Sequence, residues 1–282
     1  WVDGNPGTEN QLPIGAQMTD GPNALGFDYF YGFTHARNIG SIIEQDRVVA
    51  NVKGIENQPM MIKKALQYLE ERSKEKKPFF LYFPACPPHS PIVPATDFVG
   101  KSGIDGKEGK YADWVYQGDH MLGQIMDALE RTGQDKNTLL IATGDNGAAR
   151  RPYPPLREAK SSIYEGGHRE PFVARWPGKI KAGSVNHNVI CLNDLFATCA
   201  DLLEADLPVN AAEDSVSILP ALLGKADGSL REATINQAPA GLAIRQESWK
   251  YISLRNGTRE LYNLTEDISE TRDVAKVNTE VV

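Results

Sequence analysis

Runs of helical period alternate with short apolar runs bounded by proline and glycine, and this alternation limits the fold more than any other feature of the chain. Met61, Ile62, Ala65, Leu66 and Leu69 recur at helical spacing within 59–72, with Pro59 near the start. Pro78-Phe79-Phe80-Leu81-Tyr82-Phe83 then reads as a buried strand, short, aromatic and ended by prolines. A second helix fits 111–131, with Trp114, Val115, Gly118, Leu122, Ile125, Met126 and Leu129 on one side and Gly133 placed to end it. Strands follow at 138–143 and 172–176. The helix expected over 193–204 opens on the cap pair Asn193-Asp194, and 217–223 is a short helix. Helices interleaved with buried strands imply a mainly parallel α/β sheet flanked by helices on both faces.

Composition shifts near 225–232. Short strands are expected beyond it at 242–245, 249–254 and 260–264, with Arg255-Asn256-Gly257 as a hairpin signal. The expected organisation is an α/β domain over 1–228 and a small antiparallel subdomain over 229–282. The stretch 1–57 is rich in Gly, Pro, Asn and aromatics, and Gly26 to Gly32 brackets an aromatic cluster read as loop packing.

A chain of 282 residues suffices for one large domain with a small appendix. Its formal net charge of −7 argues against a broad basic face, so nucleic acid is not an expected partner. A locally positive pocket for a small anion stays compatible with that balance. No apolar run approaches the ~20 residues of a membrane-spanning helix. Three cysteines, Cys86, Cys191 and Cys199, make no disulfide framework. Cys191 and Cys199, placed on one helix, read as small buried hydrophobes. Trp1 is not a natural start and no signal peptide opens the chain, so the expectation is a fragment or a processed piece.

Gly144-Asp145-Asn146-Gly147 directly follows the apolar run Leu139-Leu140-Ile141-Ala142. It sets a carboxylate beside an amide carbonyl at the end of a strand, where open α/β sheets hold ligands. Two hard oxygen donors suit a calcium-type cation, which takes 6–8 of them, so further ligands must come from elsewhere. An Asn-Gly turn with Asp145 as a cap is the plainer alternative. His89 sits in Cys86-Pro87-Pro88-His89-Ser90-Pro91, just past the run 78–83, in a loop stiffened by prolines. An imidazole held there is a natural proton donor to a leaving oxygen; the alternative is a surface or structural histidine. Lys160 precedes Ser161-Ser162-Ile163-Tyr164-Glu165-Gly166-Gly167. Its compact charge suits a sulfate or phosphate oxygen, with the serine hydroxyls as added donors; the alternative is a solvated lysine. Arg150, Arg151 and Arg157 add charge that either steers an anion or is solvated. His120 reads as structural, and His168 and His187 carry no supporting pattern.

These segments, in this order, resemble the type I, formylglycine-dependent sulfatases of the arylsulfatase group. The resemblance runs through Leu25 to Gly32, Pro-Pro-His89-Ser-Pro, Gly-Asp145-Asn146-Gly, Lys160, Tyr164-Glu165-Gly166-Gly167, Arg169-Glu170-Pro171, Trp176-Pro177-Gly178 and the tail from Trp249 to Leu264. It implies an alkaline-phosphatase-like α/β fold. It also implies that Asp145 and Asn146 are calcium ligands (magnesium being the alternative ion) and that Asp145 assists the nucleophile. Lys160 would bind a sulfate oxygen, and His89 would contact the ester oxygen and help the alcohol leave. The substrate implied is an aryl sulfate or a sulfated carbohydrate, and the implied location is periplasmic, extracellular or lysosomal.

One departure stands out. The cysteine of Cys-x-Pro-Ser-Arg that the family oxidises to formylglycine has no counterpart among the 282 residues, because Cys86-Pro87-Pro88-His89-Ser90 lacks the Ser-Arg ending. The family's Asp-Asp metal pair and Gly-Lys-Trp-His-Leu-Gly segment are likewise not found. The expectation is the C-terminal part of a sulfatase, with its formylglycine in a missing N-terminal part and no activity on its own. A phosphate or phosphonate ester hydrolase of the same superfamily, or a non-catalytic relative that binds sulfated glycans, are the alternatives.

Overall fold

The periodic run that begins at Pro59 sits inside a longer helix in the computed structural model, which describes residues 11–75, 77–151 and 153–281. The first ten residues of the Gly- and Pro-rich N-terminal stretch therefore lie outside the described residues. The chain divides into two compact units, one up to Asp135 and one from Lys136 onward.

In the first unit, β1 (Tyr31–Gly32), β2 (Ser41–Glu44) and β3 (Arg47–Asn51) form an antiparallel sheet in that order. Helix α1 spans Gly54–Arg72. It starts ahead of Pro59 because Glu56 reaches back to the Lys53 amide, 2.8 Å away, and satisfies a donor the helix leaves open. Met61, Ile62, Ala65 and Leu69 are its buried stripe. Helix α2 spans Gly109–Arg131 and buries Trp114, Met121, Ile125 and Leu129 at the expected spacing. Gly133 follows it at φ 70°, the left-handed conformation that lets the chain leave a helix at little cost.

The run 78–83 is not a buried strand. It joins no ladder among the described residues, and Phe80 and Tyr82 are 67% and 68% exposed. Its odd-numbered residues face inward. Phe83 packs against the cluster of Ile42, Val52 and Met61, and Phe79 meets the Tyr68 ring edge-on at 6.1 Å. Aromatic content alone cannot tell a two-sided strand from an extended segment with one covered face.

In the second unit, β4 (Leu140–Thr143) pairs with β5 (Phe172–Arg175) in antiparallel register, Thr143 opposite Phe172. Every strand pair among the described residues is antiparallel, where alternation alone implied parallel neighbours. The link between β4 and β5 is a long loop with one helical turn, α3 (Glu165–His168), and an antiparallel pair needs no crossover helix. Helix α4 (Asp194–Leu202) follows, then α5 (Leu219–Leu222). Asn193 makes no side-chain cap; Asp194 instead accepts from the amides of Cys191 and Val216. Cys191 lies before α4 and Cys199 within it, and all three cysteines are free thiols.

The expected antiparallel ending is present as four strands, β6 (Thr234–Ala238), β7 (Gly241–Gln246), β8 (Trp249–Leu254) and β9 (Arg259–Asn263), in sequential order. Gly257, at φ 88°, turns the hairpin between β8 and β9. Ala243, Ile252 and Tyr262 of this sheet, with Ala238 and Leu264, pack on Ile163 of the β4–β5 loop, making one core cluster. That contact joins the sheet to the loop carrying Lys160. No helix among the described residues is long and apolar enough to cross a membrane.

Candidate active site

Glycine decides the geometry at the end of β4. A Cβ on Gly147 would come within 1.9 Å of the Gly166 carbonyl oxygen, and one on Gly167 within 2.1 Å of the Ser162 carbonyl oxygen. Only residues without a side chain let these backbones touch. The Gly147 amide donates to the Gly167 carbonyl at 3.0 Å, and the Lys160 amide donates to Ala148 at 3.4 Å. The Asp145-Asn146 turn and the Lys160 loop are thereby sewn together along their main chains.

This stitching brings Asn146 and Lys160 to one cavity of about 360 Å³. Ser161, Ser162 and His168 line it with them, and residues of β6 form another wall. Asp145 is exposed beside Asn146. The side chains of Asp145, Asn146 and Lys160 make no hydrogen bond or ion pair among the described residues. An unpaired ammonium, an unpaired amide and nearby hydroxyls are the groups that a tetrahedral oxyanion satisfies.

A second carboxylate stands close. Glu170 lies over Gly144, where a Cβ would meet its Oε2 at 2.2 Å. Burial, and then the neighbouring Asp145 carboxylate, raise the Glu170 carboxyl above its ordinary value. Asp145 and Asn146 thus offer free oxygens in a locally negative field, which fits a hard divalent cation in donor type. Two donors fall short of a full shell, and no three His, Cys, Asp or Glu side chains converge on a metal position among the described residues.

Beneath the cavity lies a buried ionic cluster that the sequence reading missed. Glu165 of α3 faces Lys250 of β8 at 2.9 Å, and Lys250 also faces Glu270 at 2.8 Å. Glu270 accepts the Glu165 amide through its other oxygen at 2.7 Å. Arg169 and Arg245 approach the second Glu165 oxygen at 3.3 and 3.7 Å. Burial pushes Glu165 up, but Lys250 and its other cationic neighbours prevail and hold it below the carboxylate range. Glu270 has fewer cations about it, so burial prevails there and raises it. His168 Nε2 sits 3.3 Å from Lys250 Nζ. Nε2 is also 3.3 Å from the Ile163 carbonyl oxygen, and burial, then the Lys250 charge, lower the imidazole from its ordinary value.

Arg157 is not an anion-steering or solvated residue. Its guanidinium stacks 3.6 Å from the Tyr164 ring centroid and donates to the Glu270 carbonyl at 2.7 Å. It is a strut between the Lys160 loop and the C-terminal segment.

His89 belongs to the first unit. Its loop is held by buried polar side chains of the two long helices: Gln58 accepts from the Cys86 amide at 3.1 Å, Trp114 donates to the His89 carbonyl at 3.0 Å, and Gln117 accepts from the Ala95 amide at 2.8 Å. Gly118 admits Pro87, which a Cβ there would meet at 3.0 Å. His89 Nδ1 is 2.5 Å from the Ser90 carbonyl oxygen, so Nδ1 carries hydrogen and Nε2 is the nitrogen that exchanges a proton. Burial pushes the Cys86 thiol to about 12, so it stays protonated and is no nucleophile.

Comparison with known proteins identifies the family. The sulfatase family model matches residues 10–205. An N-acetylgalactosamine-6-O-sulfatase of Bacteroides thetaiotaomicron is 36% identical over 241 residues, covering 74% of this chain and 46% of that protein. The N-acetylgalactosamine-6-sulfatase of Canis lupus familiaris is 34% identical over 170 residues, covering 58% of this chain and 32% of that protein. The chain therefore spans less than half the length of these curated relatives. A solved structure from the metabolism of multiple glycosaminoglycans by Bacteroides thetaiotaomicron superposes with a TM-score of 0.85 at 28% identity, over 95% of this chain and 73% of that one. The chain belongs to the sulfatase family and has the alkaline-phosphatase-like α/β fold with an antiparallel C-terminal sheet.

Proposed function

We propose that this protein hydrolyses sulfate esters, and that the cavity at Asn146 and Lys160 holds the sulfuryl group. The observation that carries the reading is the unpaired Lys160 ammonium sharing one cavity with the Asn146 amide and two serines. Lys160 neutralises a sulfate oxygen, and Ser161 and Ser162 donate hydroxyl hydrogens to the same group. Asp145 and Asn146 would hold a calcium ion through a carboxylate and an amide oxygen, and Asp145 would also polarise the nucleophile's hydroxyl. When bound, calcium would supply charge neutralisation and a formylglycine the nucleophilic oxygen. His89 delivers a proton from Nε2 to the ester oxygen as its bond to sulfur breaks, so the product leaves as a neutral alcohol. The Ser90 carbonyl, accepting from Nδ1, fixes the ring so that Nε2 is the nitrogen free to make this delivery.

A carbohydrate ester is the favoured substrate, with 6-sulfated N-acetylgalactosamine the first to try because two relatives bear that name. Location outside the cytoplasm is part of the same proposal and rests on the family alone. The boundary between an α/β domain and a C-terminal subdomain at 228/229 is likewise proposed.

The test is turnover by the full-length protein on aryl and sugar sulfates. Lys160→Ala should lower kcat/KM by about 10²–10³-fold, the size of losing one preorganised charge donor. His89→Ala should slow sugar sulfates more than nitrophenyl sulfate, whose good leaving group needs no proton. Wild-type rates in both variants would remove the role assignments.

A further inference from the structure

Another wall of the cavity comes from β6, an edge strand whose Asn236 and Gln237 touch the space; Asn236 shares the sheet face of buried Ala238 and Ala243, and the Gln237 side chain takes the other face. Neither amide side chain makes a hydrogen bond among the described residues. Their distance from the anion-binding side is set by packing, because Ala238 at the end of β6 and Ile163 just after Ser162 belong to the same buried core cluster. Between the two walls His168 presents an imidazole whose Nε2 is engaged by Lys250 and by the Ile163 carbonyl, both at 3.3 Å, leaving Nδ1 as its other polar atom. The volume of about 360 Å³ lies at the low end for small-molecule sites and suits a single ring.

We propose that Asn236, assisted by His168, is a specificity-determining residue that reads the hydroxyl and acyl-amide groups of the sugar ring bearing the sulfate. This rests on the reading above that Lys160 takes a sulfate oxygen. A carboxamide offers two donors and an acceptor, so Asn236 can pair with both a ring hydroxyl and an acyl-amide group. No carboxylate is among the residues that line the cavity. A site built to pair such groups discriminates strongly, because its own polar atoms go unpaired when the ligand lacks them.

The experiment compares kcat/KM for 6-sulfated N-acetylgalactosamine and for nitrophenyl sulfate, which has no ring hydroxyls, in the full-length protein. Asn236→Leu should lower the sugar-to-aryl ratio about tenfold or more, mainly through KM, while Gln237→Leu, on the other face of β6, should leave it unchanged. Asn236→Asp keeps the side-chain shape and should shift the ratio in the same direction as Asn236→Leu, which guards against a folding defect in the leucine variant. An unchanged ratio in both Asn236 variants overturns the assignment, whether both rates hold or both fall together. If Lys160→Ala keeps the wild-type rate, the anion-site reading fails and the sugar wall fails with it. If Lys160→Ala loses the rate while the ratio stays fixed, only the sugar wall fails.

Discussion

Lys250 Nζ lies 2.9 Å from Glu165 Oε1, with the two side chains 0% and 1% exposed, beneath the helical turn that follows the Lys160 loop. One lysine serves two buried carboxylates, since Glu270 is 2.8 Å away on its other side. Removing the cation while leaving both acids is the costly change. Lys250→Met should destabilise the protein by about 3–5 kcal/mol in urea unfolding. Adding Glu165→Gln and Glu270→Gln to it should restore most of that loss. A single-variant cost under about 1 kcal/mol would show that the cluster does not hold the loop to the sheet.

Acid sensitivity follows from His168. Its imidazole titrates below 6.5 in the folded chain, so the unfolded chain takes the proton first. Stability should fall as pH drops below about 6.5 toward the folded value. Glu165, also lowered, adds a loss of the same sign at more acid pH, while Glu270, raised, opposes both by binding its proton more readily when folded. The His168 contribution is isolated by comparing urea midpoints of wild type and His168→Gln between pH 7 and 5.5. The variant should lose less stability over that window, and an equal loss would place the effect elsewhere.

Two glycines should respond differently to alanine. Gly147→Ala drives a Cβ into the Gly166 carbonyl and should cost about 1–3 kcal/mol or more, displacing Asn146. Gly133→Ala has open space around its Cβ and suffers only from φ 70°, at about 1–2 kcal/mol. Thermal melts rank the pair. A larger loss at Gly133 would contradict the stitched-loop account.

Trp114→Phe keeps most of the buried ring but strips the donor from the His89 carbonyl. It should cost about 1–2 kcal/mol and slow sugar sulfates more than nitrophenyl sulfate, because the His89 loop loses one anchor. Equal slowing of both esters would separate the anchor from proton delivery.

The cavity shared by Asn146 and Lys160 was legible because its signals are local. A strand followed by Gly-Asp145-Asn146-Gly, and a lysine followed by Tyr-Glu-Gly-Gly, each announce a tight backbone within a few residues. β6 escaped notice because Asn236 and Gln237 are poor strand formers, held in place by pairing with β7. His168 carried no pattern because its neighbour Lys250 is 82 residues away. Arg157 was misjudged for the same reason, since its partners Tyr262 and Glu270 lie in the C-terminal segment. The segment 78–83 shows the opposite error, where strong local character suggested burial that Phe80 and Tyr82 do not have.

The most direct test is a crystal structure of the full-length protein grown with calcium and a non-hydrolysable sulfate-ester analogue. The account predicts the sulfuryl group within about 3 Å of Lys160 Nζ and a cation on the oxygens of Asp145 and Asn146. An analogue bound away from Lys160, with Asp145 and Asn146 free of metal, would contradict it.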